Sequence, residues 1–345
     1  MQMANSRWRM VKLISDLRFR AAGCRALLFL LSSLLVVPCS SAQTQAPTKT
    51  PRVGVLLYST PEGDPNVTAF RQNMRELGYV EGQNLAIDYR FAQGKPERLP
   101  DVANELVRLH PDVILALGGD VVPAAQQATK TIPIVMWVSN DPVKSGIVPS
   151  LSRPGGNITG VTLILDELAG KRLTLLNEIA PKISRVAVLW NPDHADPEFR
   201  ELQKAAQRLK ISLQSIEVKR TEDFDPQLRA ASSAKAQALI VVSSRLINLQ
   251  RKRIADHTAK NRIPLVGDWG PWPEMGGLMS YGPATDELAR RVAVYVQKIL
   301  KGARPSELPI ERPTKFEFVI NLNAARTLGP PIAQSVLFRA DRVIK

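Results

Sequence analysis

The chain has 345 residues, 44% of them apolar and 23% charged. This is the composition of a globular protein of about two domains, and it excludes both a membrane bundle and a disordered polyelectrolyte. The formal charge is +14, but residues 1–42 hold six Lys/Arg and one Asp, which leaves the rest of the chain with 40 basic and 31 acidic side chains, +9. These charges are scattered. Arg251-Lys252-Arg253 is the only tight basic cluster and falls in a predicted amphipathic helix, so the charge reads as general surface character and not as a nucleic-acid-binding face.

The N-terminal segment stands apart. Arg18, Arg20 and Arg25 precede an apolar run over 26–37, followed by Pro38, the small residues Ser40-Ser41-Ala42, and Gln43. Basic region, short apolar core and small-x-small site describe a secretory signal peptide cut between Ala42 and Gln43. The run is short for a membrane span, and a start at Met10 would shorten the leader. A lipid anchor on Cys39 is the alternative, disfavoured by Pro38. Both cysteines, Cys24 and Cys39, lie in the leader. The exported chain then has no disulfide, thiolate metal site or Cys nucleophile, which suits a bacterial periplasmic protein. We assign 1–42 to the signal peptide and 43–51 to a flexible tether.

After the tether, residues 52–58 form a nearly continuous apolar run, the pattern of a strand buried on both faces. Turn chemistry over 59–65 leads to a helix with Phe70, Met74 and Leu77 on one face, stopped by Gly78. Then come a β-rich stretch over 83–91, a helix over 97–109, a strand over 113–117, a short helix over 121–129 and a strand over 134–138. In 153–162, Pro154 and the adjacent Gly155-Gly156 turn the chain into a short extended run; taken locally, a plain loop reads equally well. The series then restarts: helix 166–179, strand 185–190, helix 198–209, strand 212–218, helix 226–233, strand 238–242, helix 246–261 and strand 265–267.

The two passes resemble each other in residues as well as order. Pro51-Arg52-Val53-Gly54-Val55-Leu56 parallels Ser184-Arg185-Val186-Ala187-Val188-Leu189, and Thr131-Ile132-Pro133-Ile134-Val135 parallels Arg262-Ile263-Pro264-Leu265-Val266. Alternating strands and helices imply parallel sheets covered on both faces. The fold class is therefore α/β: two Rossmann-like lobes with parallel sheets, joined near Thr159, Gly160, Val161 and Thr162 as a hinge. The rest makes no third domain. A strand over 278–281, a helix over 285–300 and an extended stretch over 307–321 are placed most simply by crossing back to the first lobe and out again. Lobe 1 is then 52–160 plus about 283–306, and lobe 2 is 163–280 plus about 308–345.

Open parallel sheets bind ligands beyond the carboxyl ends of their strands. The candidates there are Tyr58 and Ser59, Gly119 and Asp120, then Trp137, Ser139, Asn140 and Asp141 in the first pass. In the second pass they are Trp190 and Asn191, Ser243 and Ser244, Asp268 and Trp269, with Tyr281 after them. Trp137, Trp190, Trp269 and Trp272 all sit at or just past strand ends, where facing lobes would bring rings to one cleft; local packing under a loop is the alternative for each. Asp120, Asp141 and Asp268 read as caps or ligand contacts, with an acid–base or metal cluster as the alternative. His110, His194 and His257 are far apart and read as structural or solvated. No catalytic constellation, phosphate loop or dinucleotide fingerprint is present, so neither an enzyme nor a cofactor or metal site is expected.

Several stretches carry a family resemblance: Arg52-Val53-Gly54-Val55-Leu56, Gly78-Tyr79-Val80-Glu81-Gly82-Gln83-Asn84, Asn140-Asp141-Pro142-Val143, Arg153-Pro154-Gly155-Gly156-Asn157-Ile158-Thr159-Gly160, and Phe316-Glu317-Phe318-Val319-Ile320-Asn321-Leu322. Over 52–329 the chain resembles the ABC-transporter substrate-binding proteins of the tryptophan-binding-protein-like group. The resemblance implies a type I periplasmic binding protein with a three-crossing hinge, monomeric and periplasmic, closing on a small ligand and docking on an ABC permease driven by an ATPase. It implies no nucleic-acid partner, and contact with the membrane only through the permease or the less favoured lipid anchor. An aromatic or apolar amino acid or a related acid is the expected ligand. The tryptophans and Tyr58 would sandwich its apolar part, Ser139, Ser243 and Ser244 would take a carboxylate, and Asp141 or Asp268 an amine. Gly160 would shape closure. Trp269-Gly270-Pro271-Trp272 departs from the general pattern, so the relatives' ligand does not simply carry over. A ligand-sensing ectodomain or co-receptor of the same fold stays open, as does an exported Rossmann-like enzyme. A sugar-responsive regulator would need a DNA-binding head where the leader stands.

Overall fold

The computed structural model describes residues 50–62, 64–194, 197–326 and 332–345. The predicted signal peptide, the Ala42–Gln43 cleavage point, both cysteines and most of the tether lie outside them.

The first pass builds β1 (Arg52–Leu57), α1 (Pro65–Glu76), β2 (Ala86–Phe91), α2 (Leu99–Arg108), β3 (Val113–Leu117), α3 (Val122–Ala128), β4 (Ile134–Val138) and β5 (Ile158–Thr162). The strands form an all-parallel sheet in the order β2-β1-β3-β4-β5. Side-chain alternation explains why β1 reads as an unbroken apolar run. Val53, Val55 and Leu57 pack with Phe70 and Met74 of α1 on one face. Leu56 and Tyr58 pack with Val102 and Leu106 of α2 on the other.

The second pass builds α4 (Leu165–Ile179), β6 (Arg185–Trp190), α5 (Glu198–Leu209), β7 (Ser212–Glu217), α6 (Phe224–Ser233), β8 (Ala238–Val241), α7 (Arg245–Leu249), α8 (Arg251–Lys260), β9 (Leu265–Gly267) and β10 (Met279–Pro283). Its strand order, β7-β6-β8-β9-β10, repeats that of the first sheet. The likeness between residues 51–56 and 184–189 is thus a likeness between the strands at the same place in two sheets. After α9 (Thr285–Leu300) come β11 (Phe316–Asn321), α10 (Leu322–Ala325), α11 (Gln334–Leu337) and β12 (Arg342–Ile344). β11 adds antiparallel to β10, and β12 adds parallel to β11, at the far edge of the second sheet.

Helix α9 belongs with the first sheet: Leu288, Val292 and Val296 join the cluster around Val53, Phe70 and Met74. The chain therefore passes between the lobes three times, after β5, before α9 and before β11. The passages lie side by side. Thr162 N donates to Glu311 O and Glu311 N to Gly160 O, both at 3.0 Å, and Ala284 N donates to Lys315 O at 3.1 Å.

Four local expectations change. The helix expected over 246–261 is two helices broken at Gln250 (φ −103°, ψ 14°). The Ser244 side chain caps α7, and the break lets Arg245 and Arg251, both buried, point to different places. The basic cluster is consequently not all surface, because Arg251 lies inside. The extended stretch begins at Phe316, after a short helical turn over Pro305–Glu307. Finally, Thr159, Gly160, Val161 and Thr162 belong to β5, paired with β4 on one side, and Gly160 to Thr162 lie beside Glu311 of the third passage on the other; the chain turns at Ile164, left-handed at φ 49°. Gly160 has φ 140°, and a Cβ there would lie 2.0 Å from Met136 O. Its missing side chain lets β5 approach β4.

Candidate functional site

The carboxyl ends of β3, β4 and β8 and the loop after β9 converge between the lobes. They enclose a cavity of about 40 Å³ lined by Trp137 and Ser139 from the first lobe and by Ser243, Ser244, Arg245 and Trp269 from the second. Organic ligand pockets are roughly 300–1,000 Å³, so an organic ligand must enter an opened cleft, whose walls rearrange around it as the lobes close. Two wider grooves adjoin the cavity. One, about 340 Å³, runs past Tyr58, Gly119, Asp120 and Asn191. The other, about 720 Å³, runs past Trp190 and His194.

Side chains from opposite lobes hold the cleft shut. Arg245 at the start of α7 reaches across to Asp64, which also caps α1 by accepting from Asn66 N and Val67 N. Burial, and then the charge of Arg251, push the Arg245 guanidinium down to about 10, still protonated at neutral pH. His194 Nδ1 lies 2.5 Å from Asp120 Oδ1, and its Nε2 3.3 Å from Ser139 Oγ. Lys144 Nζ donates to Asp166 at 2.8 Å, and that hydrogen bond raises the lysine's pKa. The Gly118-Gly119 pair makes room for the crossings: a Cβ on Gly118 would lie 3.2 Å from Arg245 Cγ, and one on Gly119 3.3 Å from His194 Cε1.

Buried polar contacts behind the cavity fix its walls. Arg172 and Glu198, both fully buried, pair at 2.5 Å, and Glu198 Oε2 accepts from Ser243 N. Asn248 Nδ2 donates to Ser243 Oγ, and Arg251 donates to Asn248 Oδ1. The Arg251 guanidinium also lies 4.8 Å from the ring centre of Trp269 and 5.4 Å from that of Trp272, cation–π distances. Asp268 Oδ1 accepts from Trp269 N and from Trp272 Nε1.

A family model for ABC transporter substrate binding proteins matches residues 53–344. The chain belongs to that family. This substrate-binding protein is 25% identical over 274 residues to a tyrosine-binding protein of Clostridioides difficile, covering 79% of each chain. Among solved structures it resembles a conserved domain protein of Vibrio cholerae (28% identity, TM-score 0.77, 86% of this chain and all of that one). It also resembles a Streptococcus pneumoniae ABC domain in complex with L-Trp (22% identity, TM-score 0.75, 86% of this chain and all of that one), a likeness of fold. The two-lobed type I periplasmic architecture implied by the sequence is thus the one observed.

Of the strand-end residues picked from the sequence, the substrate-binding protein brings Gly119, Trp137, Ser139, Ser243, Ser244 and Trp269 to the central cavity. Tyr58, Asp120 and Asn191 line the first groove, with the Tyr58 hydroxyl donating to Gly94 O and raised to about 12 by burial and then by the Asp120 charge. Trp190 stacks on Phe199 at 4.4 Å and donates to Ser215 Oγ, so its ring packs locally at the mouth of the second groove. Trp272 is wholly buried in the core. Ser59, Asn140, Asp141, Asp268 and Tyr281 line none of the three cavities. Asp141 accepts from Val143 N within its own turn, Asn140 O accepts from Thr162 Oγ1, and Tyr281 packs against Phe316 and Phe318. The three aspartates do not cluster, and among the described residues no group of His, Cys, Asp or Glu is placed to hold a metal. Among the same residues no helix is long and apolar enough to cross a membrane.

Sequence reasoning undervalued Arg245, His194 and Asp64. Arg245 follows the strand-end serines directly, and His194 lies four residues past Trp190, so position relative to a strand end was the available signal. Their partners, 181 and 74 residues away in sequence, were not visible.

Proposed function

We propose that this protein is the extracytoplasmic solute-binding component of an ABC importer. In this reading it is a monomeric binder and not a catalyst, and it closes its lobes on a small organic acid with an aromatic or apolar body, an amino acid or a related acid. The observation that carries the reading is the convergence of one cation, three serine hydroxyls and two indole rings on a single cleft between lobes joined by three passages that lie side by side. Arg245 and the hydroxyls supply charge-assisted and neutral hydrogen bonds to a carboxylate, and Trp137 and Trp269 supply the apolar walls. The ligands named for the tyrosine-binding relative and the L-Trp complex support the size and character of the solute. Ligand contacts with both lobes favour the closed state, which a permease then reads while a separate ATPase supplies the energy.

A thermal-shift screen of amino acids and aromatic acids, followed by titration calorimetry, tests this. The tightest binder should lose about tenfold or more in affinity with Trp269→Ala and less than about threefold with Trp190→Ala, since truncating a buried aromatic anchor costs over 1 kcal/mol. Equal effects of the two substitutions, or no stabilising acid at all, would refute the site.

A further inference from the structure

Arg245 Nε and Trp269 Nε1 are buried and without a hydrogen-bond partner among the described residues. Both side chains line the central cavity, and Trp269 is only 8% exposed. No Asp or Glu is among the described residues that line it.

The carboxylates nearest the cleft are each engaged. Asp64 holds Arg245 and the first amides of α1. Asp120 holds His194; Asp166 holds Lys144 through Oδ2, and its buried Oδ1 has no hydrogen-bond partner among the described residues but does not line the cavity. Asp141 accepts from Val143 N and Lys144 N. Asp268 keeps one oxygen, Oδ2, without a partner, but it is fully buried away from the cavity and its charge faces Arg251. A buried ammonium without a carboxylate is costly, and prising a carboxylate from its ion pair leaves a second charge unpaired. A carboxylate ligand meets the opposite situation: Arg245 Nε–H and Trp269 Nε1–H are buried donors that lack an acceptor.

We infer that, within the class of acids proposed above, the cleft selects aryl carboxylic acids that lack an α-amine over the matching amino acids, with Trp269 Nε1 and Arg245 as donors to the acid group. This rests on the reading of the cleft as the site of an aromatic or apolar acid. Selection then comes from the ammonium that the chamber fails to pair, a rejection built on an unsatisfied charge and not on size.

Calorimetry on the exported chain with two matched pairs decides the matter: 3-phenylpropionate against L-phenylalanine, and indole-3-propionate against L-tryptophan. The amine-free member should bind at least tenfold more tightly in the pair that fits. Trp269→Phe, which keeps an aromatic wall and removes the N–H, should weaken the amine-free acid severalfold with an unchanged melting temperature. An amino acid that binds as tightly as its amine-free partner, or more tightly, overturns the inference and leaves the proposed function standing. A Trp269→Phe variant with unaltered affinity removes Trp269 as a donor and overturns it likewise. If no member of either pair binds, the inference and the proposed ligand class fall together.

Discussion

Arg245→Met should abolish most of the protein's affinity for the proposed acid ligand, by about a hundredfold or more. Removing one partner from a buried, hydrogen-bonded charge interaction costs about 2–5 kcal/mol, and Arg245 is the only Arg or Lys among the described lining residues of the central cavity. The same substitution cuts the ion pair to Asp64 that spans the cleft, so the unliganded protein should also spend more time open. Asp64→Asn separates the two roles. Asparagine still caps α1 through its side-chain oxygen, while Arg245 keeps its charge for the ligand. This variant should therefore loosen the closed form yet hold affinity within about tenfold of wild type. Titration of both variants checks this. Affinity unchanged in Arg245→Met, or lost equally in Asp64→Asn, would place the anion site elsewhere.

The largest stability effect is expected at Gly160. A methyl group there meets Met136 O at 2.0 Å and Met136 N at 2.6 Å, in a strand whose every residue is buried. Either β5 separates from β4 or the backbone at φ 140° distorts. Gly160→Ala should cost about 3 kcal/mol or more in chemical denaturation, within the range of severe backbone and overpacking defects. Gly156→Ala is the control: its φ of 57° is also positive, but nothing lies within 4 Å of the added Cβ. That change should cost about 1 kcal/mol, the left-handed penalty alone. Similar losses for both would mean that dihedral strain, not the approach of β4, requires glycine at 160.

The contrast between those glycines shows where the sequence was legible. Strands buried on both faces announce themselves as apolar runs, and two such series in the same order expose the repeated lobe. β12 offers no such signal, because it is three residues long with an exposed first residue at a sheet edge. Gly160 looked like hinge material because a motif of glycines reads as flexibility. Its neighbour Met136 is on another strand, and only the paired structure shows a steric requirement as well. The same limit applied at the site. Strand ends pointed to Trp137, Ser139, Ser243, Ser244 and Trp269, since topology alone puts them at the cleft. It did not separate Trp269 from Trp190, whose ring found Phe199 nine residues later, or reveal that Asp268 and Asp141 are occupied by their own loops. His194 was discounted for want of a partner nearby in the chain. Its partners, Asp120 and Ser139, are on the other lobe.

The roles proposed for Arg245, Trp137 and Trp269 all require the cleft to close on a bound acid. Small-angle scattering from the wild-type protein, without ligand and then saturated with the tightest of the four probe acids, decides this. The radius of gyration should be smaller with ligand, and larger for Arg245→Met than for wild type when both are ligand-free. Superimposable wild-type profiles at an acid concentration where calorimetry shows full occupancy would contradict it.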